Sequence, residues 1–153
     1  MKKVLIFIAI GTSLAILGVM SVQDKDVVTS PRVEVVSEWE DGTVKEDRRY
    51  LKDDVIEITT YFDNFKVNTK GRVKIIGEEE IRFGEWVSFY KNGTSWSLCE
   101  YSNGVSDGIY KTWHPNGKPN IVGYYSNGVE TGAWSFFDKS GIIVKEYDVT
   151  PGK

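Results

Sequence analysis

YSNGVSDGIY (101–110) and YSNGVETGAW (125–134) are one motif repeated at a distance of 24 residues. The same register runs wider. Gly84, Gly108 and Gly132 share it, as do Trp86, Tyr110 and Trp134, and Phe89, Trp113 and Phe137. Asn92-Gly93 returns as Asn116-Gly117 and, weakened, as Ser140-Gly141. Self-similarity at a fixed period means one supersecondary unit copied in series.

Each unit reads as strand a, a tight turn, strand b and a longer turn. Strand a is GEWVSFY (84–90), GIYKTWH (108–114) and GAWSFFD (132–138). The tight turns, Lys91–Gly93, Pro115–Gly117 and Lys139–Gly141, fit a type I turn closed by a left-handed Gly that forms a bulge. Strand b is TSWSLCEY (94–101), KPNIVGYY (118–125) and IIVKEYD (142–148), where Tyr147 falls two residues short of the Tyr101/Tyr125 register. A terminal repeat often departs in this way because it caps the stack. The longer turns are expected at 102–107 and 126–131, ending on Gly108 and Gly132. The expected fold is all-β, a series of antiparallel hairpins.

Side chains alternate across a strand. One face of the array therefore stacks Trp86, Tyr110 and Trp134, and the other stacks Phe89, Trp113 and Phe137. Large rings bury much surface and compensate for a thin core. Rings left exposed on one face would form a partner platform. Trp86, Tyr110 and Trp134 are the candidate contact residues, with Trp96 and Trp113 next; the same rings are core candidates.

The chain has 153 residues, 13% aromatic, with 15 Gly and 4 Pro, a balance that suits short strands and tight turns. One Cys, Cys99, excludes an internal disulfide framework, and one His, His114, leaves a His-based triad a single position. Lys2 and Lys3 precede VLIFIAIGTSLAILGVM (4–20), 17 residues without a charge. Residues 1–21 read as a secretory signal peptide or an N-terminal anchor. As a helix, the run would span roughly 25 Å, slightly short of a hydrocarbon core. On either reading the rest of the chain is exported, to the periplasm or beyond, with a membrane tether through residues 4–20 if the segment is retained. Removing residues 1–21 takes away two of the 19 basic residues and no acid, leaving 17 against 22 and a net of −5 in place of −3. That balance argues against a nucleic-acid partner, which needs a basic patch.

Residues 22–32 read as a linker, and 33–80 as short strands. VEVVSEW (33–39), TVKEDRRYL (43–51), VIEITTYF (55–62) and RVKIIG (72–77) are separated by Asp41-Gly42, Asp53-Asp54, Asp63-Asn64 and Thr69-Lys70-Gly71. This region is either a degenerate repeat or a different β-meander packed on the array at 84–148.

The pattern Tyr-Ser-Asn-Gly-x-x-x-Gly-x-Tyr/Trp, with Asn-Gly recurring after strand a, resembles the MORN repeat variant family over residues 84–148. The resemblance implies a single-layer, curved antiparallel β-meander with one hairpin per repeat. Together with the export expected from residues 1–21, it points to a non-catalytic module for binding a protein or an envelope component, without a cofactor, in an exported bacterial protein. Some members are antitoxin-like, a role that an exported N-terminus fits poorly. The segment GAWSFFD (132–138) is also similar to the glycan-binding repeats of cell-wall proteins, whose period is nearer 20; a wall-glycan binder is the alternative.

Other polar features carry bland readings. His114 occupies a variable register position, expected at an exposed strand end. Cys99 stands where the next copy has Gly123 and reads as a half-buried thiol. Glu78-Glu79-Glu80 and Asp53-Asp54 read as solvated turns, since Ca²⁺ needs six to eight oxygens in defined geometry. Asn92-Gly93-Thr94 matches a glycosylation acceptor but lies on a tight hairpin. No catalytic or metal-ligating set is expected. The oligomeric state is open.

Overall fold

The computed structural model describes residues 30–150. The expected signal or anchor segment, 1–21, and residues 22–29 of the expected linker lie outside them. Ten strands follow one another: β1 (Arg32–Glu38), β2 (Val44–Tyr50), β3 (Val55–Tyr61), β4 (Val67–Ile76), β5 (Glu79–Phe89), β6 (Ser95–Ser102), β7 (Val105–Trp113), β8 (Pro119–Ser126), β9 (Val129–Phe137) and β10 (Ile143–Asp148). Each pairs with the next, antiparallel and in chain order, so one sheet is formed with β1 and β10 at its ends. The described residues contain no helix. Residues 33–80 form β1 to β4 and the start of β5, hydrogen-bonded into the same sheet as the repeats.

Five turns of one type line one edge. In each, the first residue's carbonyl accepts from the fourth residue's N–H, at Trp39–Gly42, Phe62–Phe65, Tyr90–Gly93, His114–Gly117 and Asp138–Gly141. The fourth residue has positive φ in all five, and Gly supplies it in four. Phe65, at φ 63, is the exception.

The opposite edge corrects the expectation of longer turns at 102–107 and 126–131. Ser102 pairs with Val105 and Ser126 with Val129, so only two residues intervene. Asn103 and Gly104 (φ 48 and 84), like Asn127 and Gly128 (φ 49 and 79), both have positive φ, the demand of a type I′ hairpin turn. Strands β7 and β9 thus begin earlier than the sequence pattern suggested. The expected break at Thr69–Gly71 is also absent: β4 runs straight through Gly71.

Gly84, Gly108 and Gly132 are interior strand residues. Each has positive φ (64, 123 and 64) and sits in a bulge that adds two residues to β5, β7 or β9 relative to the preceding strand. An extra pair bends the strand but keeps the side-chain alternation, so the faces do not swap. In the middle bulge the Glu100 carboxylate accepts from Ile109 N–H at 2.7 Å, spanning the interrupted ladder.

The core is a single face. Gly123 lies directly beneath the Trp134 indole and Gly71 beneath that of Trp86. A Cβ built on either glycine would clash with the ring above it. Cys99 holds the equivalent place opposite Tyr110. Large and small residues therefore alternate from strand to strand across this face. Tyr147 pairs with Trp134, so it occupies the place of Cys99 and Gly123 rather than a shifted Tyr125 position. Among the described residues no strand follows β10. Tyr147 stacks on Trp134, with centroids 6.4 Å apart at 6°. Toward β1 the same face buries Ile56 against Val73.

Candidate binding surface

The rings singled out from the sequence fall into three environments. Trp134 is 3% exposed and packs against Tyr110 (5.7 Å) and Tyr125 (5.1 Å). Tyr110 meets Tyr125 edge-on at 5.7 Å, and burial pushes both phenols up from their ordinary pKa. Trp86 is half-buried. Its indole N–H donates to Arg72 O at 3.1 Å, and the Arg82 guanidinium lies 4.4 Å over its ring and 5.6 Å over that of Tyr101. Trp113 is half-buried and its carbonyl accepts from Tyr90 Oη–H at 2.8 Å. Trp96 alone among the five is largely open, at 50%.

Trp96 is open for a geometric reason. Ser88 pairs with Ser97 and Phe89 with Ser95, so Trp96 is the extra residue of a bulge and has no partner across the ladder. Its ring contact is Tyr90, at 6.5 Å. The same bulge position is Asn68 in the β3–β4 hairpin, Asn120 in β7–β8 and Val144 in β9–β10. An indole is not what this position requires.

Phe65 is a residue that the sequence pattern missed. It is 71% exposed and stands where the other four turns carry Gly. Its turn and the neighbouring one are bound together: Asn64 Nδ2 donates to Lys91 O (3.0 Å), Lys66 Nζ to Asn92 O (2.6 Å), and Lys91 Nζ to Asp63 Oδ2 (2.8 Å). Aligning Asp63-Asn64-Phe65-Lys66 on Lys91-Asn92-Gly93-Thr94 would have exposed the anomaly, but their spacing is 28 rather than 24. Phe65 also closes a groove of about 410 Å³ with Gly42, Thr43, Val44, Asp47 and Tyr61.

A left-handed backbone costs an L-residue roughly 1–2 kcal/mol. Phe65→Gly is therefore expected to raise stability by about 1 kcal/mol while deleting the exposed ring. Urea unfolding of the two proteins checks this; a destabilised variant would mean that the Phe65 ring contributes to packing.

The Asn residues of the turns are committed internally. Asn92 Nδ2 donates to Pro115 O (3.4 Å) and Asn116 Nδ2 to Lys139 O (2.7 Å), continuing the rung from Asn64 to Lys91. Their Oδ1 atoms accept from Thr94 N and Lys118 N in local Asx turns. Ser140 replaces Asn in the last described turn. His114 belongs to the same system: its Nε2 bonds Phe137 O at 2.9 Å, as Tyr90 bonds Trp113 O one repeat earlier.

The remaining polar candidates are dispersed. Cys99 Sγ lies 3.4 Å from Ser106 Oγ. Glu80 pairs with Arg48 at 2.5 Å across the sheet, while Asp53 and Asp54, both at φ 59, form the β2–β3 turn. Among the described residues no three His, Cys, Asp or Glu side chains are grouped to hold a metal ion.

Tyr61 lines the Phe65 groove and donates to Asp47 Oδ2 at 2.7 Å. Burial, then the Asp47 carboxylate, push its pKa up to about 12 from 10. Below pH 10 the phenol is protonated in folded and unfolded chains alike and its contribution is complete. As pH rises from 10 to about 12 the unfolded chain ionises first and that contribution is lost. Urea unfolding at pH 9 and 11.5 should show a larger alkaline loss for the native chain than for Tyr61→Phe; equal losses would remove Tyr61 from the account.

Residues 84–103 and 106–128 match the MORN repeat variant family. Repeats of this class are in general non-catalytic protein- or membrane-binding modules. The match ends before the third copy, where the turn Asn has become Ser140. No curated protein matches the chain, and no solved structure does.

Proposed function

From two matched MORN repeat variants we infer that the chain is a non-catalytic binding module, and we place its contact surface on the turn edge that carries Phe65 and Trp96. One observation carries this reading. Both rings are exposed, at 71% and 50%; Phe65 stands where the other four turns carry Gly, and Trp96 stands at a bulge position held by Lys45, Asn68, Asn120 and Val144 in the other hairpins. Exposed aromatic residues of this kind are what a hot spot at an interface is built from. Residues such as Trp134, which recur in register, already have a structural role.

The partner we propose is a protein of the bacterial envelope, met after export. Lys2-Lys3 followed by 17 uncharged residues supports export, and retention of that segment would tether the module to the membrane.

The test is a pull-down from solubilised envelope fractions with the full chain, alongside Trp96→Ala. The native chain should retain a partner that Trp96→Ala loses, at least tenfold, with an unchanged melting temperature. Equal retention by both proteins would move the contact surface away from Trp96. Retention on purified wall glycan, with Trp fluorescence quenched by sugars, would replace the protein partner by a glycan.

A further inference from the structure

The two end strands of the sheet are unusual in what they expose. A repeat array generally closes with polar caps. Here β1 exposes Val33 (54%), Val35 (47%) and Val36 (43%), and β10 with its turn exposes Ile142 (65%), Ile143 (48%) and Val144 (64%). Among the described residues each end strand has one neighbour in the sheet, so its outer side takes no part in the sheet's own ladder.

The two edges complement each other in three independent respects. The first is direction: β1 and β10 are antiparallel in an alternating meander of ten, so a second copy placed beside β10 presents its β1 antiparallel. The second is hydrogen-bond phase. Val149 N–H donates inward to Gly132 O, so alternation aims the backbone groups of Glu146 outward. Leu51 N–H donates to Val55 O, so the even residues of β2 bond β1, and Val33 and Val35 face outward. The third is charge and face. With Glu146 opposite Val33, Lys145 falls opposite Glu34 and Tyr147 opposite Arg32. All four lie on the aromatic face, where Arg32 already lies over a tyrosine, Tyr50, at 4.9 Å. Moving two residues one way places Lys145 against Arg32; moving two the other way places it against Val36. This register alone joins opposite charges.

We propose that copies of this chain associate head to tail, β10 of one copy pairing antiparallel with β1 of the next, Lys145 against Glu34 and Tyr147 against Arg32. The contact is heterologous and leaves a free β1 and a free β10 at either end, so it extends rather than closes. Bulges at Val36 and Val144 and the missing N–H of Pro31 confine regular pairing to about four residues a side, so the association is weak and depends on concentration.

Sedimentation velocity of the full chain in detergent, over a hundredfold range of concentration, tests it. The native chain should show a weight-average sedimentation coefficient that rises with concentration. Glu34→Lys and Lys145→Glu should each raise the concentration for half-association about fivefold, since like charges placed opposite each other across strands repel. The double reversal should restore the native value. The apolar N-terminal segment is the same in all four proteins, so self-association through it would be indifferent to these changes. Glu34 also holds Arg32 and the Tyr50 hydroxyl; Lys145→Glu tests the same contact without touching them. A chain monomeric throughout, association unchanged by both single reversals, or no recovery in the double reversal would overturn the proposal.

Discussion

Trp134→Ala will cost the sheet about 3–5 kcal/mol, the range for removing a fully buried indole. Trp134 is the most buried ring of the repeat, at 3% exposure, and it contacts aromatic residues from three other strands, Tyr110, Tyr125 and Tyr147. A single-layer sheet has no second layer to close over the gap. Domains of this size are stable by roughly 5–15 kcal/mol, so the loss is a large share of the total. Urea unfolding followed by tyrosine fluorescence measures it, with Trp134→Phe as the milder variant if the alanine protein does not fold. A cost below about 1 kcal/mol would show that the row of rings is not the core.

Gly123→Ala will be the next most damaging change, by about 1–3 kcal/mol, although it adds one methyl group. That methyl would occupy the space of Trp134 Cδ2 and Cε2, and the ring is walled in by its neighbours. The two effects are coupled: in a Trp134→Ala background the Gly123→Ala cost should largely vanish, because the ring that it strikes is gone. Additive costs would mean that Gly123 is needed for its backbone and not for its missing side chain. Gly71 stands under Trp86 in the same way.

These two residues show where the sequence was legible. The 24-residue register put Trp86, Tyr110 and Trp134 in one row, and the row exists. It also placed Gly93, Gly117 and Gly141 at turns whose fourth residue does have positive φ. The register misled at Gly108 and Gly132. A Gly shortly after Asn-Gly reads as the end of a loop, because bulge and turn glycines have the same backbone requirement and look alike in a string of letters. It was silent at Gly71 and Gly123, whose neighbours across the ladder are distant in the chain.

The candidate surface was less legible than the fold. Recurrence drew attention to Trp134, which the sheet buries. Phe65 and Trp96 do not recur, and their exposure follows from a left-handed turn and an unpaired bulge residue. Phe65 shows in the sequence only when its turn is aligned on the others at a spacing of 28 rather than 24, and Trp96 cannot be seen until strands are paired, because a bulge is a mismatch of count between two strands and has no signature in either one alone.

By itself, then, the sequence determined the repeat, the hairpin as its unit, the tight turns and the alternation that divides rings between two faces. All of these are local, set by the backbone preferences of Gly, Asn and Pro and by the two-residue period of a strand. Only the tertiary structure decided that residues 33–80 join the same sheet, which glycine lies beneath which ring, and which aromatic residues remain open to a partner. Those depend on register between strands, and register is a sum of many weak cross-strand contacts.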